Sequence, residues 1–335
     1  MRVIDAFNHV LPARYYEQLA RVIPDKNMAK RIGNVKLLHD IEGRMRMMDQ
    51  WPGYQQLLTA CPPGLELLAG PEATPELARI ANDGLAEICA KWPDKFPAFA
   101  AAVPCNNPDA SLKEIGRAIT QLGARGIQMF TNINGRPLDD PEFTPIFECM
   151  ATKYDFPILL HPTRPATAPD YNTETKSKFE VWQVLGWPHD TTVAMSRIVF
   201  SGLFDKFPNL KILTHHLGGT APYLEGRLGP LWDQLGSRTP DEDYESLLKS
   251  MKKRPVDYFR MFYGDTVVGG ADAALQCGLS FFGADHVLFA SDCPFDPEGG
   301  PMFIRENIRA VNKLNIPEGQ KKKILSENAI AMFRL

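Results

Sequence analysis

Short runs of apolar residues alternate with longer stretches in which apolar positions recur every three to four residues, and this alternation extends along the whole chain. The short runs predict strands at 2–7 (RVIDAF), 55–60 (QQLLTA), 96–103 (FPAFAAAV), 125–130 (RGIQMF), 157–162 (PILLHP), 210–215 (LKILTH), 259–264 (FRMFYG) and 286–291 (HVLFAS). The longer stretches predict helices, among them 75–92, 109–123 and 141–154, each with a proline or acidic residue close to its start. Eight strands interleaved with helices in 335 residues imply an α/β protein, a (β/α)8 TIM barrel with short insertions in one domain spanning 1–335. An open doubly wound sheet is disfavoured, because no GxGxxG follows the first strand and no P-loop occurs.

Composition narrows the class of partner. A formal net charge of -3 gives no basic footprint for nucleic acid or an anionic membrane, which leaves a small soluble molecule as the expected partner. No run of apolar residues is long enough to span a bilayer, and the N-terminus has no apolar signal core before its first acid. Six cysteines, at 61, 89, 105, 149, 277 and 293, show neither a CxxC pair nor a regular spacing, as expected of reduced thiols in a cytoplasmic protein.

In a barrel of this kind, chemistry collects at the C-terminal ends of the strands. His9 follows the first predicted strand, His161 closes the fifth, His215 and His216 close the sixth, and Asp292 closes the eighth. Imidazoles and a carboxylate converging on one rim suit Zn2+, Mn2+ or a similar divalent ion. His286 starts the eighth strand, at the far end of the barrel, and is expected to be structural.

The motifs IDAFNH, RMRMMDQW, FPILLHP, the block from GWPHD to LEGRL, FYGDT and VLFASDCPFDPEGG resemble those of the amidohydrolase superfamily. Within it they resemble the branch of metal-dependent, non-oxidative decarboxylases typified by aminocarboxymuconate semialdehyde and γ-resorcylate decarboxylases. The resemblance implies His9, His161 and Asp292 as metal ligands and His216, directly before LGG, as the proton donor. It places Asp265 and Asp292 among the catalytic groups, as ligands or as holders of imidazole tautomers. His215 takes a place usually held by a small residue and is secondary on this reading. Arg227, eleven residues beyond His216, matches an arginine that reaches the neighbouring subunit's site in the prototypes, which implies a homodimer or a dimer of dimers. Arg44 and Arg46 fall in a family motif and are candidates for a clamp on an anionic substrate. Trp187 and Phe295 are candidate aromatic walls.

One position departs from the pattern. Where the family carries His or Glu two residues before His9, so that both face one ion, this chain has Phe7. Phe7 is expected to offer a hydrophobic floor to a substrate ring, and Phe7→His is expected to tighten metal binding. Asn8, on the opposite face of the strand, is a poor substitute ligand. The implied activity is decarboxylation of a small aromatic or unsaturated carboxylic acid. Its competitors are hydrolysis or hydration of a C–C, C=C or lactone bond on the same scaffold, and an inactive barrel kept as a binding protein.

Overall fold

The computed structural model describes residues 2–22, 30 and 32–335. Eight parallel strands form the expected ring: Val3–Val10, Tyr54–Ala60, a third strand in two pieces (Ala98–Phe99 and Ala101–Ala102), Ile127–Phe130, Ile158–His161, Ile212–Thr214, Tyr263–Asp265 and Val287–Leu288. The two pieces of the third strand join the halves of the sheet, with Ala98–Phe99 pairing to the second strand and Ala101–Ala102 to the fourth. The ring closes between the eighth strand and the first through Ala6 N–H to Phe289 O (2.9 Å), Asp292 N–H to Phe7 O (3.1 Å) and His9 N–H to Cys293 O (2.8 Å). That closure continues past the short eighth ladder, and it brings Asp292 and His9 side by side at the rim.

The strands are apolar on both faces because each is buried twice, once in the barrel and once under the helices. Ile4, Ala6, Phe7, Leu57, Leu159, Leu213 and Leu288 fill the interior, and the C-terminal helix Asn328–Phe333 adds Met332 and Phe333 to the same cluster. The outward faces pack on helices such as Thr74–Lys91 and Pro108–Gln121. Asn107 caps the latter by accepting a hydrogen bond from Ala110 N–H (3.1 Å). Residues 141–154, expected to be one helix, instead run as a 3-10 turn, an α-helical segment and a π turn, with Pro141 and Pro145 interrupting the backbone donors.

An extra residue bulges the first strand, since Asp5 pairs with Gln56 and Asn8 with Leu58. The Asn8 amide turns into the barrel wall, donating to Leu57 O (2.9 Å), which excludes it from the interior. His286 lies at the other end, bonded to Phe262 O (3.1 Å) and stacked on Tyr263, as a structural residue should be. None of the described helices is long and apolar enough to cross a membrane.

Candidate metal centre

Three buried histidines meet at the C-terminal mouth, and each is oriented by a different acceptor at its Nδ1. The Thr59 hydroxyl donates to Asn8 O (2.5 Å) and so accepts from His9 Nδ1 (3.0 Å). Pro162 O accepts from His161 Nδ1 (2.6 Å), and the Asp265 carboxylate from His215 Nδ1 (2.6 Å). Asp265 is itself pinned by the backbone N–H groups of Leu217 (2.9 Å) and Val267 (3.0 Å). With Nδ1 engaged in all three rings, the Nε2 atoms are left for the interior, the usual way in which outer partners fix a metal-binding tautomer. Donor atoms of His9, His161 and His215 lie within 4.8 Å of one another, and a second such group joins His215, His216 and Asp292.

Asp292 bridges the set, with Oδ1 3.2 Å from His9 Nε2 and 3.3 Å from His215 Nε2. At those distances the contacts qualify as ion pairs, yet neither Nε2 makes an aligned hydrogen bond among the described residues. Both donors are therefore buried beside Asp292 without an aligned partner. Asp292 has a left-handed backbone (φ 59°), which turns its carboxylate back over the mouth. A nitrogen and oxygen set of this kind, with two buried donors left over, fits a borderline-hard divalent cation.

Electrostatics follow the same arrangement. Burial alone would raise the Asp292 carboxyl, but His215 and His9 against it hold it well below the usual carboxylate range. Burial would lower His215, and the Asp265 and Asp292 carboxylates outweigh it, bringing the imidazole up to about 9. Burial, with the neighbouring imidazoles, pushes His161 well below the usual histidine range. Burial lowers His9 as well, with Asp292 offsetting only part of the effect. His216 is pushed down to about 3 by burial and by His215 beside it.

The sixth-strand turn decides which of the two adjacent histidines faces in. His216, Leu217, Gly218 and Gly219 all have left-handed φ (54°, 53°, 76° and 65°), so the chain reverses immediately after His215. A Cβ at Gly219 would stand 2.2 Å from Pro188 O, which is why LGG ends in glycine. His215 is consequently buried at the centre, with His216 at its edge, ring centroids 4.0 Å apart. The secondary standing of His215 in the sequence pattern is thus reversed in space.

Other expected site residues divide. Trp187 packs edge-on against His161 (5.5 Å) and Phe295 lies 5.7 Å from His9, so both border the cluster, as does Phe130, which the pattern did not single out. Phe7 is fully buried beneath the cluster and stacks on His215 (4.1 Å, 23°), which covers it and corrects its expected role as a floor for substrate. Arg44 also needs correction. It is buried in the barrel wall, and its five N–H groups are spent on Gln56 Oε1 (2.6 Å), His9 O (2.6 Å), Leu37 O (3.1 Å), Asn8 Oδ1 (2.9 Å) and Cys293 O (3.3 Å). No donor remains for a substrate carboxylate. Arg46 lies on the exposed face of the same helix, Ile41–Met48, 4.0 Å from Asp40, and does not join the cluster. Arg227 is exposed on the helix Glu225–Trp232.

An amidohydrolase family model matches residues 4–335. The chain belongs to the amidohydrolase family. The family's γ-resorcylate decarboxylase from Rhizobium sp. (strain MTP-10005) is 31% identical over 322 residues, covering 90% of this chain and 89% of the relative. A crystal structure of 2,6-dihydroxybenzoate decarboxylase complexed with 2,6-dihydroxybenzoate superposes with a TM-score of 0.79 at 27% identity, covering all of both chains. A mutant 5-carboxyvanillate decarboxylase from Novosphingobium aromaticivorans, with bound manganese and 3-methoxy-4-hydroxy-5-nitrobenzoic acid, gives a TM-score of 0.84 at 27% identity, covering 100% of this chain and 97% of that one.

Proposed function

We propose that this protein is a metal-dependent, non-oxidative decarboxylase of a small aromatic or unsaturated carboxylic acid. The observation that carries the reading is the clustering of His9, His161 and His215, whose donor atoms lie within 4.8 Å of one another, with Asp292 3.2 Å from His9 Nε2, on a rim bordered by Phe130, Trp187 and Phe295. Flat apolar walls around a cationic centre suit a ring that bears a carboxylate. The likeness to decarboxylases over nearly the whole chain supports the same reaction class.

His9, His161 and Asp292 would hold the ion, with Mn2+ favoured over Zn2+ by the manganese in a related structure. When bound, the ion supplies Lewis-acid attraction for the substrate's carboxylate or adjacent hydroxyl. The remaining work falls to the chain. Trp187 and Phe295, both half-buried at the mouth, orient the ring. As the bond between ring carbon and carboxylate carbon breaks, its electron pair stays on the ring carbon, which must take a proton while CO2 leaves.

His216 is placed to deliver that proton. Its Nδ1 is buried without a hydrogen-bond partner among the described residues, and its ring sits between His215 and Trp187. Burial and His215 beside it disfavour a charge on the His216 imidazole. An anionic substrate seated beside it reverses that balance and favours the imidazolium that serves as acid. Asp265 acts behind His215, as a positioning residue.

The six cysteines, none of them in a disulfide, agree with a cytoplasmic protein. Exposed Arg227, with Tyr223 84% exposed on the preceding turn, favours a homodimer or dimer of dimers in which Arg227 meets the neighbouring copy's substrate. The decisive experiment is CO2 release from 2,6-dihydroxybenzoate and related hydroxybenzoates by the manganese-loaded protein. His216→Ala should lower kcat by about 10²–10⁴-fold. A protein that releases no CO2 but opens lactone substrates would overturn the reading in favour of a hydrolase.

A further inference from the structure

We propose that His215 is the metal ligand this chain uses in place of residue 7, an exchange of one ligand between the first and sixth strands. The inference rests on the reading of the rim as a divalent-cation site, and four observations carry it.

The first is occupancy of space. The His215 imidazole lies flat against the Phe7 ring, 4.1 Å away and 23° from parallel. It therefore covers one face of the phenyl ring at residue 7, a side chain that offers no donor, and brings its own donor to the space above it.

The second is orientation. His215 Nδ1 is held by Asp265, which two backbone N–H groups fix in turn, so the ring cannot rotate and Nε2 is presented to the interior. A carboxylate behind a histidine is the usual outer partner of a ligating imidazole. The third is the orphaned donor: His215 Nε2 is buried and, like His9 Nε2, makes no aligned hydrogen bond among the described residues.

The fourth is spacing. Donors that share one small divalent ion at about 2.1 Å are themselves about 3.0–3.4 Å apart along the edges of an octahedron or tetrahedron. Asp292 Oδ1 to His9 Nε2 is 3.2 Å and to His215 Nε2 is 3.3 Å, both edges of that size. With His161 within 4.8 Å of both histidine donors, the set is three imidazoles and one carboxylate. The count matches that of a site in which residue 7 is a histidine, although the donor comes from the opposite side of the barrel.

The test uses the full-length protein and Mn2+ or Zn2+ alone, with binding measured by equilibrium dialysis and metal analysis, and folding checked by circular dichroism. His215→Ala should weaken binding by about a hundredfold or more, since loss even of an outer partner costs 10–100-fold. Phe7→His alone should not tighten it, and Phe7→His in the His215→Ala background should recover binding to within about tenfold of the wild-type protein. A crystal structure of the zinc-loaded wild type decides without any variant: the anomalous peak should stand about 2.0–2.1 Å from His215 Nε2. A peak farther than about 3 Å, or unchanged affinity in His215→Ala, overturns the exchange while leaving the metal site in place. A wild-type protein that binds neither ion, with His215 acting instead as a fixed cation between Asp265 and Asp292, overturns both the exchange and the metal reading.

Discussion

Replacement of Arg44 by methionine separates a structural arginine from a substrate clamp. All five guanidinium N–H groups are directed at acceptors, three of them the carbonyls of His9, Leu37 and Cys293, and the side chain is wholly buried. Methionine fills much of the volume but donates to none of them. Hydrogen bonds from a charged donor contribute about 1.5–3 kcal/mol each, and removing the guanidinium also relieves the cost of burying its charge. The net loss should be about 3–5 kcal/mol, the range typical when one member of a buried ionic set is removed. An apparent melting temperature lowered by about 4–7 °C would match it. The loss should appear without any substrate present, read by urea unfolding through circular dichroism and tryptophan fluorescence. Because His9 O and Cys293 O belong to or adjoin His9 and Asp292, the proposed metal ligands, ion affinity should fall in the same variant. A variant as stable as the wild type, with an unchanged ion affinity and only a raised KM, would refute this assignment and restore the clamp.

Two further outcomes follow from buried carboxyls. Asp265→Asn removes the charge that orients His215 and should weaken Mn2+ binding by about 10–100-fold in equilibrium dialysis, with the fold retained. Glu66 is buried with Oε1 unpaired, and burial pushes its carboxyl up to about 7 from an ordinary 4.5. Because the folded state keeps this proton where the unfolded chain has lost it, stability should fall as pH rises from about 4.5 to about 7, by roughly 3 kcal/mol. Glu66→Gln should flatten that segment of the urea-unfolding profile, and an unaltered profile would show that Glu66 does not titrate there.

The strands were legible because barrel strands are apolar on both faces and short, a signal that survives without context. All eight overlap the apolar runs, but their ends differ: the first strand runs on to Val10, the eighth ladder stops at Leu288, and the run 259–264 enters the sheet only from Tyr263. Arg44 was not legible. Its place on an amphipathic helix says only that one face is buried, and what makes that burial tolerable is a ring of carbonyls from loops far apart in the chain. The break at 141–154 was partly legible in Pro145, yet periodicity alone cannot distinguish a continuous helix from one that tightens and widens over the same apolar positions.

The histidine pair shows where motif reading and geometry part. Two consecutive residues on an extended strand face opposite sides, so HH before LGG does not say which ring lies at the centre of the site and which at its edge. Four left-handed residues from His216 to Gly219 settle it by turning the chain away directly after His215. On the proposed exchange, Phe7 and His215 belong to one substitution rather than to two anomalies: the imidazole at 215 stacks on the phenyl ring at 7, and a phenylalanine at 7 needs a donor from elsewhere if the ion is to be held. Coordination restricts where donor atoms end, not which strand delivers them. A ligand pattern can therefore be broken along the sequence and complete in space, with the signature of the exchange being a lost donor on one strand and a surplus one on the strand across the barrel.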